Sequence, residues 1–246
     1  MTDITLTRNI KIIDGEAFRG NKISKLVLPK NIHTIHNSAF RDNIIENLIL
    51  PNSLTTIGNN AFEKNKIKAL TIPTSIKTIK KGAFAFNNIS TLNISTGVEK
   101  IEEYGFFRNK IKKLEVPGNV KEINYRGFAE NTMEELVLNE GIEIINESGF
   151  GANKLTSLVI PNSVVKIGPR AFDLNKIKTL VLPNNLKVIE VGTFNVNELE
   201  SLVIPDSVTE IKANAFTNNK LTKVSLKTGT VVDPKAFDAG VVLEYR

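Results

Sequence analysis

The 246-residue sequence lacks cysteine altogether and contains only two histidines, His33 and His36. Without cysteine there are no disulfide bonds, no thiolate zinc sites and no cysteine nucleophile. The two histidines lie in one short segment and leave little for general-base chemistry. No run approaches 18 consecutive apolar residues, so we expect no membrane insertion. These absences indicate a scaffold rather than an enzyme, and we expect no cofactor and no metal ion.

The residues that are present suffice to build a folded protein. Apolar residues make up 41% of the chain, charged residues make up 24%, and the formal net charge is +6. This apolar fraction can form a core, and the charged fraction is ordinary for globular proteins.

A 22-residue repeat runs through the whole sequence. A phenylalanine marks each copy, and the eleventh, Phe237, comes one residue early. An asparagine stands three residues after each of the other ten. The ten pairs are Phe18 with Asn21, Phe40 with Asn43, Phe62 with Asn65, Phe84 with Asn87, Phe106 with Asn109, Phe128 with Asn131, Phe150 with Asn153, Phe172 with Asn175, Phe194 with Asn197 and Phe216 with Asn219. A fixed period of this length is the signature of a solenoid.

Each repeat also carries a strand signal. Aliphatic residues alternate with outward positions, as at Leu158 and Ile160, and proline follows this pair in seven copies. Alternation with a period of two predicts a strand whose leucines point inward, and proline ends its hydrogen-bonded ladder. The later segment Ile-x-x-x-Ala-Phe is too short for a helix and predicts a second short strand or a 3₁₀ turn. We expect the first strands to stack into one long parallel sheet, with phenylalanine and asparagine as structural ladders.

The pattern N-x-I-x-x-L-x-I-P-x-x-V-x-x-I-x-x-x-A-F, of which residues 153–172 are a close copy, resembles the BspA-like class of leucine-rich repeats. The resemblance extends from about Ile4 to Phe237. It implies a right-handed leucine-rich-repeat superhelix with a parallel sheet on one face and short second strands or 3₁₀ turns on the other. It also implies a bacterial surface or secreted protein associated with adhesion. These copies are about one residue shorter than the common form and carry asparagine where many carry cysteine.

We interpret residues 1–246 as a single leucine-rich-repeat domain of about eleven repeats, excerpted from a longer protein. The chain begins in mid-repeat, and Met1-Thr2-Asp3 is not a signal peptide. The parent is then expected to be extracellular or on the cell surface. A cytoplasmic protein expressed as written is the alternative.

The residue nine positions after each ladder phenylalanine should point outward from the sheet. In four consecutive repeats it is valine, with Glu, Ser or Thr two positions earlier. These valines either reflect the β-propensity of branched residues or form a hydrophobic contact surface. The four valines, which we call the valine stripe, and their flanking residues are Val137, Val159, Val181, Val203, Glu135, Ser157, Thr179 and Ser201.

A lysine follows the ladder asparagine in six of ten repeats. Such a row either binds a polyanion or acidic protein, or is a solvated face that keeps the solenoid soluble. The six residues, which we call the lysine row, are Lys22, Lys66, Lys110, Lys154, Lys176 and Lys220.

Charge is distributed unevenly along the chain. Residues 99–150 carry 7 basic and 11 acidic side chains, whereas residues 1–98 carry 13 basic and 6 acidic ones. The glutamates of the middle segment are spread over separate repeats, so they do not predict a calcium loop. Basic and acidic residues are interleaved without aromatic residues among the basic ones, which argues against nucleic-acid binding.

These observations predict a non-enzymatic, monomeric module whose sheet face binds another protein, such as a host or neighbouring-cell surface protein. Two alternatives remain at this stage. The solenoid is a passive spacer for another domain, or it binds a glycan or polyanion through the lysine row.

Overall fold

The alternating L-x-L segments form the first strand of each coil. In the computed structural model, which describes residues 2–246, burial alternates strictly along Lys113–Val116. We number the coils from the N-terminus, so that coil 1 contains Asp3–Thr5. Coil 3 has no strand at the equivalent position, where isolated bridges join Asn47 to Lys25 and Ala69. The strands of this side, which we call the sheet face, are Asp3–Thr5, Lys25–Val27, Ala69–Ile72, Thr91–Ile94, Lys113–Val116, Glu135–Leu138, Ser157–Val159, Thr179–Val181, Leu202–Val203, Lys223–Leu226 and Val242–Tyr245.

The later segment of each repeat forms a second strand of only two residues. Of the two expected alternatives, the short strand is therefore correct, rather than the 3₁₀ turn. Its isoleucine points into the core, as at Ile79 and Ile123. The second strands are Ile12–Ile13, Thr34–Ile35, Thr56–Ile57, Thr78–Ile79, Lys100–Ile101, Glu122–Ile123, Ile144–Ile145, Lys166–Ile167, Val188–Ile189, Glu210–Ile211 and Val231–Val232.

All strands pair in parallel, and each residue pairs with its equivalent in the adjacent coil. Val159, for example, is the partner of Val181, which lies 22 residues later. Residues 2–246 contain no helix, and the molecule is a parallel β-solenoid of eleven coils, followed by the final sheet-face strand Val242–Tyr245. On the sheet face the hydrogen-bonded ladders join only two or three strands each, apart from the bridges at Asn47. Such short strands offer few hydrogen bonds to each neighbour, so side-chain packing keeps the coils together where a ladder stops.

The turn around each ladder phenylalanine, from two residues before it to two after it, forms a side that we call the turn face. Every second main-chain N–H group of the turn points along the solenoid axis, and the N–H groups between them bond within the turn. Phe40 N–H donates to the Ala61 carbonyl at 2.9 Å, and Asp42 N–H donates to the Glu63 carbonyl at 3.0 Å. The same direction, from each coil to the next, recurs throughout this face. In the last turn the Asp238 carboxylate accepts the main-chain N–H groups of Asn218 and Asn219 instead.

Two residues of nearly every turn have a left-handed backbone conformation. They lie two positions before and two positions after the phenylalanine, as at Ser38 with φ 55° and Asp42 with φ 57°. Every non-glycine residue with positive φ in residues 2–246 occupies one of these two positions. This conformation costs roughly 1–2 kcal/mol for an L-residue. Because it lets alternate N–H groups reach the next coil, the inter-coil hydrogen bonds offset that cost.

The ladder phenylalanines form one continuous stack through the core. Adjacent ring centroids are 5.2 to 5.7 Å apart, from Phe18 to Phe237, and adjacent rings lie within 10° of parallel. The nine rings between these two ends are fully buried. Each ring therefore depends on the coils above and below for its burial, and an isolated repeat could not bury it.

The ladder asparagines fasten each coil to the one before it. Asn109 Nδ2 donates to the carbonyls of Phe84 and Phe106 at 2.9 and 3.1 Å, and its Oδ1 accepts from Ile89 N–H at 3.0 Å. The bond to Phe106 lies within the coil's own turn, and the bonds to Phe84 and Ile89 run to the preceding coil. The Phe106 carbonyl and Ile111 N–H are bound in turn by Asn131 of the following coil. Within residues 2–246, Asn21 bonds to Phe18 and Arg19 of its own coil and to no residue of another coil.

Replacement of Asn109 by alanine should destabilise the protein by about 1–3 kcal/mol, because the buried Ile89 N–H loses its partner and the Phe84 and Phe106 carbonyls each lose one of two asparagine donors. Chemical denaturation followed by circular dichroism measures this change. Asn21→Ala is the matched control and should cost clearly less. An equal decrease in the free energy of unfolding in the two variants would show that the inter-coil hydrogen bonds of asparagine do not contribute to stability.

Replacement of Val196 by asparagine should stabilise the protein by about 1 kcal/mol. Valine is β-branched and strained at its φ of 52°, whereas asparagine tolerates this conformation. Val165, an exposed valine without a positive φ, provides the control. The comparison is made by thermal unfolding, and an equal effect of Val196→Asn and Val165→Asn would contradict the expectation.

Candidate functional site

The structure places the valine stripe on the surface of the sheet face. The four side chains are 52% to 66% exposed and occupy coils 7 to 10 at equivalent positions. Parallel strands lie about 4.8 Å apart, so the stripe extends over roughly 15 Å. The outward direction expected for these residues is therefore correct, whereas their role in binding stays a prediction.

A second pair of exposed apolar residues continues the same column in coils 2 and 3. Val27 is 55% exposed, and Ile49 is 84% exposed, the highest value among the large apolar residues of the described chain. Between this pair and the valine stripe the column is polar, with Thr71, Asn93 and Glu115. The sheet face thus has two apolar regions and a polar centre.

The flanking residues of the stripe are also exposed, but they are not equivalent. Glu135 forms an ion pair with Lys113 of the preceding coil at 2.6 Å, and this hydrogen bond raises the pKa of Lys113. Ser157, Thr179 and Ser201 are short and uncharged. The stripe is therefore flanked by small hydroxyl groups in coils 8 to 10 and by a neutralised carboxylate in coil 7.

The lysine row is exposed along its whole length. Lys220 pairs with Glu198 of the preceding coil at 3.0 Å, and this contact lowers the pKa of Glu198. Within residues 2–246 the other five lysines have no carboxylate within 4 Å. The row therefore presents cations that the chain itself does not neutralise.

Most ion pairs join residues that are 22 positions apart, because equivalent side chains of adjacent coils lie side by side. Arg108 and Glu130 form such a pair at 2.5 Å, and Lys100 and Glu122 form one at 2.6 Å. The acidic coil that begins the middle segment is matched to the basic coil before it through Lys77 with Glu99, Lys80 with Glu102 and Lys81 with Glu103. The uneven charge along the sequence is thus largely paired at this boundary and does not form an open acidic patch there.

Neither histidine belongs to a site. His33 and His36 are exposed. Across the described chain, no group of three or more His, Asp or Glu side chains is arranged to hold a metal ion. The same residues contain no helix that is long and apolar enough to cross a membrane.

The turn face carries an aromatic cluster that sequence reasoning missed. Phe107 is buried between Phe86 and Tyr104, with edge-to-face contacts of 5.4 and 5.3 Å between ring centroids. The guanidinium groups of Arg108 and Arg126 lie 5.2 and 5.8 Å from the Phe107 ring centroid. Arg108 and Arg126 both pair with the single carboxylate of Glu130, so we interpret the cluster as a structural contact that joins coils 4 to 6. A signal was available, because the two phenylalanines that depart from the ladder fall in adjacent repeats.

Asp173 is a half-buried carboxyl group on the same face. It leans over Gly151, and a Cβ atom at that glycine would come within 2.6 Å of Asp173 Oδ1. Burial raises the pKa of Asp173 to about 6, although the positive charges of Arg170 and Arg126 act in the opposite direction. No hydrogen-bond donor or cation of residues 2–246 lies within bonding distance of this carboxylate.

The repeated coils and the open sheet face define a leucine-rich repeat protein, a class that works by presenting an extended surface. The family described as BspA type leucine rich repeat region (6 copies) matches residues 11–134 and 121–241. The chain therefore belongs to the BspA-type leucine-rich repeat family. Such repeats are typically non-enzymatic binding modules, and in general terms the chain is a protein-interaction module.

Solved structures of bacterial proteins share this fold. A leucine rich cell surface protein from Faecalibacterium prausnitzii is 17% identical, with a TM-score of 0.51, and the match covers 99% of this chain and 87% of that one. A leucine-rich repeat protein from Eubacterium ventriosum is 16% identical, with a TM-score of 0.59 and coverages of 98% and 77%. The pneumococcal vaccine antigen PcpA is 19% identical, with a TM-score of 0.56 and coverages of 100% and 68%. No curated protein sequence matches the chain significantly.

Replacement of Asp173 by asparagine should stabilise the protein at pH 7 and have little effect below pH 4. The raised pKa means that the folded state favours the neutral carboxyl group, so its contribution to stability is lost as the pH rises from about 4 to 6. We expect a gain on the order of 1 kcal/mol, reduced from the full linkage value because the group is partly solvated. Chemical denaturation across pH 4 to 7 measures it, with the exposed Asp14→Asn as control. A gain that does not depend on pH would contradict this origin.

Proposed function

We propose that the sheet face binds another protein and that the valine stripe is the centre of the contact. The observation that carries this proposal is the alignment of four exposed valines in consecutive coils. Contiguous exposed apolar surface with a polar surround is typical of interaction sites. The short hydroxyl groups of Ser157, Thr179 and Ser201 leave the valines accessible and offer hydrogen bonds beside them. Glu135, with its charge neutralised by Lys113, lies at the edge.

The mechanism is display on a rigid surface. The strand backbone is held on both sides by the second strands, the asparagine bonds and the phenylalanine stack, so little conformational entropy is lost when a partner binds. Recognition is spread over several coils, each of which contributes one or two side chains. The binding unit is a single copy of the chain, and no catalytic step is involved.

We further propose that the parent protein is extracellular or attached to the cell surface and that the partner belongs to a host or a neighbouring cell. Membership of the BspA-type family supports this location. One of the similar structures is described as a cell surface protein and another as a vaccine antigen. The similarity of fold to these proteins adds support for location but does not identify a partner.

Binding of a polyanion by the lysine row is the second candidate, because five of its six lysines have no carboxylate within 4 Å in the described chain. Such binding would weaken steeply as salt screens the charges, whereas contact at the valine stripe would not. A passive spacer would bind neither kind of partner.

Substitution of Val137, Val159, Val181 and Val203 by lysine should abolish capture of the partner while the fold is retained, since all four side chains are already exposed. The measurement is a pull-down from extracellular-matrix, serum and bacterial-surface extracts, with bound proteins identified by mass spectrometry. Circular dichroism confirms that the variant is folded.

The control variant carries lysine at Val165, Val191 and Val231, which are exposed valines outside the sheet face. It should capture the same partner as the wild type. Capture that survives the valine-stripe variant but is released by moderate salt would favour the lysine row. If the wild-type protein captures no partner from any extract, the result would favour the alternative in which the solenoid is a passive spacer.

A further inference from the structure

The sheet face contains an apolar cleft in coils 2 and 3, away from the valine stripe. Its volume is 820 Å³, within the range of roughly 300–1,000 Å³ that is usual for small-molecule sites. Its apolar lining includes Leu28 and Leu50 at the floor, with Val27 and Ile49 standing beside them. Lys25 lies at one end of the lining and Lys30 at the other.

The cleft coincides with the interruption of the sheet at coil 3. In coils 1, 8 and 10 the residue after the strand donates to the next coil, as from Ile160 N–H to the Val181 carbonyl at 3.0 Å. The equivalent donors Leu28 N–H and Leu50 N–H make no such main-chain bond in the described structure, and neither does Leu182 N–H of coil 9. Coil 3 is therefore held less tightly on this face, and it carries Ile49, whose exposure is far above that of any residue in the valine stripe.

The two ends of the cleft differ in charge. Near Lys25, Asp3 is the partner residue one coil away; its carboxylate accepts from Ser24 Oγ at 3.4 Å and forms no ion pair with Lys25 within 4 Å. Near Lys30, the equivalent position of the preceding coil is Arg8, and neither cation has a carboxylate within 4 Å in residues 2–246. At about 3.3 Å per extended residue, the two ends are about 16 Å apart. The cleft thus joins an apolar floor to the positive charge of Lys30, and Arg8 lies outside the lining in the preceding coil.

We propose that this cleft binds a small aliphatic carboxylate, with its head group at Lys30 and its hydrocarbon chain over Leu28, Leu50 and Ile49. The carboxylate complements the charge of Lys30, which has no carboxylate within 4 Å in residues 2–246, and Asn52 in the same lining offers an amide. The hydrocarbon chain of the ligand covers Ile49, the most exposed large apolar side chain of residues 2–246. This site does not depend on the proposed function of the valine stripe, since the two lie in different coils.

The test is a titration of the folded chain with dodecanoate below its critical micelle concentration, followed by calorimetry and by amide chemical shifts. We expect saturable binding of one molecule per chain, with shifts confined to coils 1 to 4. Dodecyltrimethylammonium, which has the same hydrocarbon chain and the opposite charge, should bind at least tenfold more weakly. Ile49→Asp should abolish the binding of dodecanoate, and Lys30→Glu should weaken it roughly tenfold or more.

Two matched variants separate this site from general adsorption. Val181→Asp places the same charge in the valine stripe, and Lys187→Glu makes the same charge reversal at an exposed lysine elsewhere. Both should bind dodecanoate as the wild type does. The proposal is overturned if the wild type shows no saturable binding, if the cationic amphiphile binds equally well, or if Val181→Asp loses as much affinity as Ile49→Asp.

Discussion

Equivalent residues of adjacent coils lie side by side in this protein, and the rest of the structure follows from that constraint. Because the repeat is 22 residues long almost throughout, each position meets its equivalent in the coils above and below. A residue is therefore acceptable only if it can lie beside another of the same role at about 5 Å. Phenylalanine satisfies this condition by stacking ring on ring, and isoleucine and leucine by interdigitating. Asparagine satisfies it by offering a donor and an acceptor to main-chain groups at two levels.

The same constraint explains how charge is arranged. Like charges at equivalent positions would lie next to each other in every pair of coils, which is unfavourable. The chain instead places opposite charges there, as for Lys113 and Glu135 or Lys100 and Glu122. Where a position is left without a complementary neighbour, as in the lysine row, the surface keeps an uncompensated charge. The exposed features that could serve binding are thus the positions at which a residue has no complementary neighbour in the adjacent coil.

Much of the fold could be predicted from the sequence because a period in the sequence becomes a direct contact in the structure. The buried ladders, the parallel register and the outward direction of the valine stripe all follow from counting in units of 22. The left-handed residues could not be predicted in this way. They include Leu174, Val196 and Arg126, which carry no glycine-like signal, and inter-coil hydrogen bonds impose their conformation. The missing strand of coil 3 also has no signal, since residues 48–50 show the same alternation as their equivalents.

The candidate site could be predicted only in part. The stripe was visible in the sequence because it occupies one column. The aromatic cluster around Phe107 involves several columns and depends on side-chain directions that repeat counting does not provide. The desolvation of Asp173 likewise depends on the absence of a side chain at Gly151 in the coil below.

The one-directional hydrogen bonding of the turn face has an electrostatic consequence for the whole molecule. On the sheet face, neighbouring peptide groups point in opposite directions and their dipoles cancel. On the turn face, the peptide groups that bond to the next coil all point the same way, so their dipoles add along the axis as they do in a helix. The end at coil 11 then carries the positive pole. The carboxylate of Asp238 lies there and accepts two main-chain N–H groups, in the way that an acidic residue stabilises the first turn of a helix.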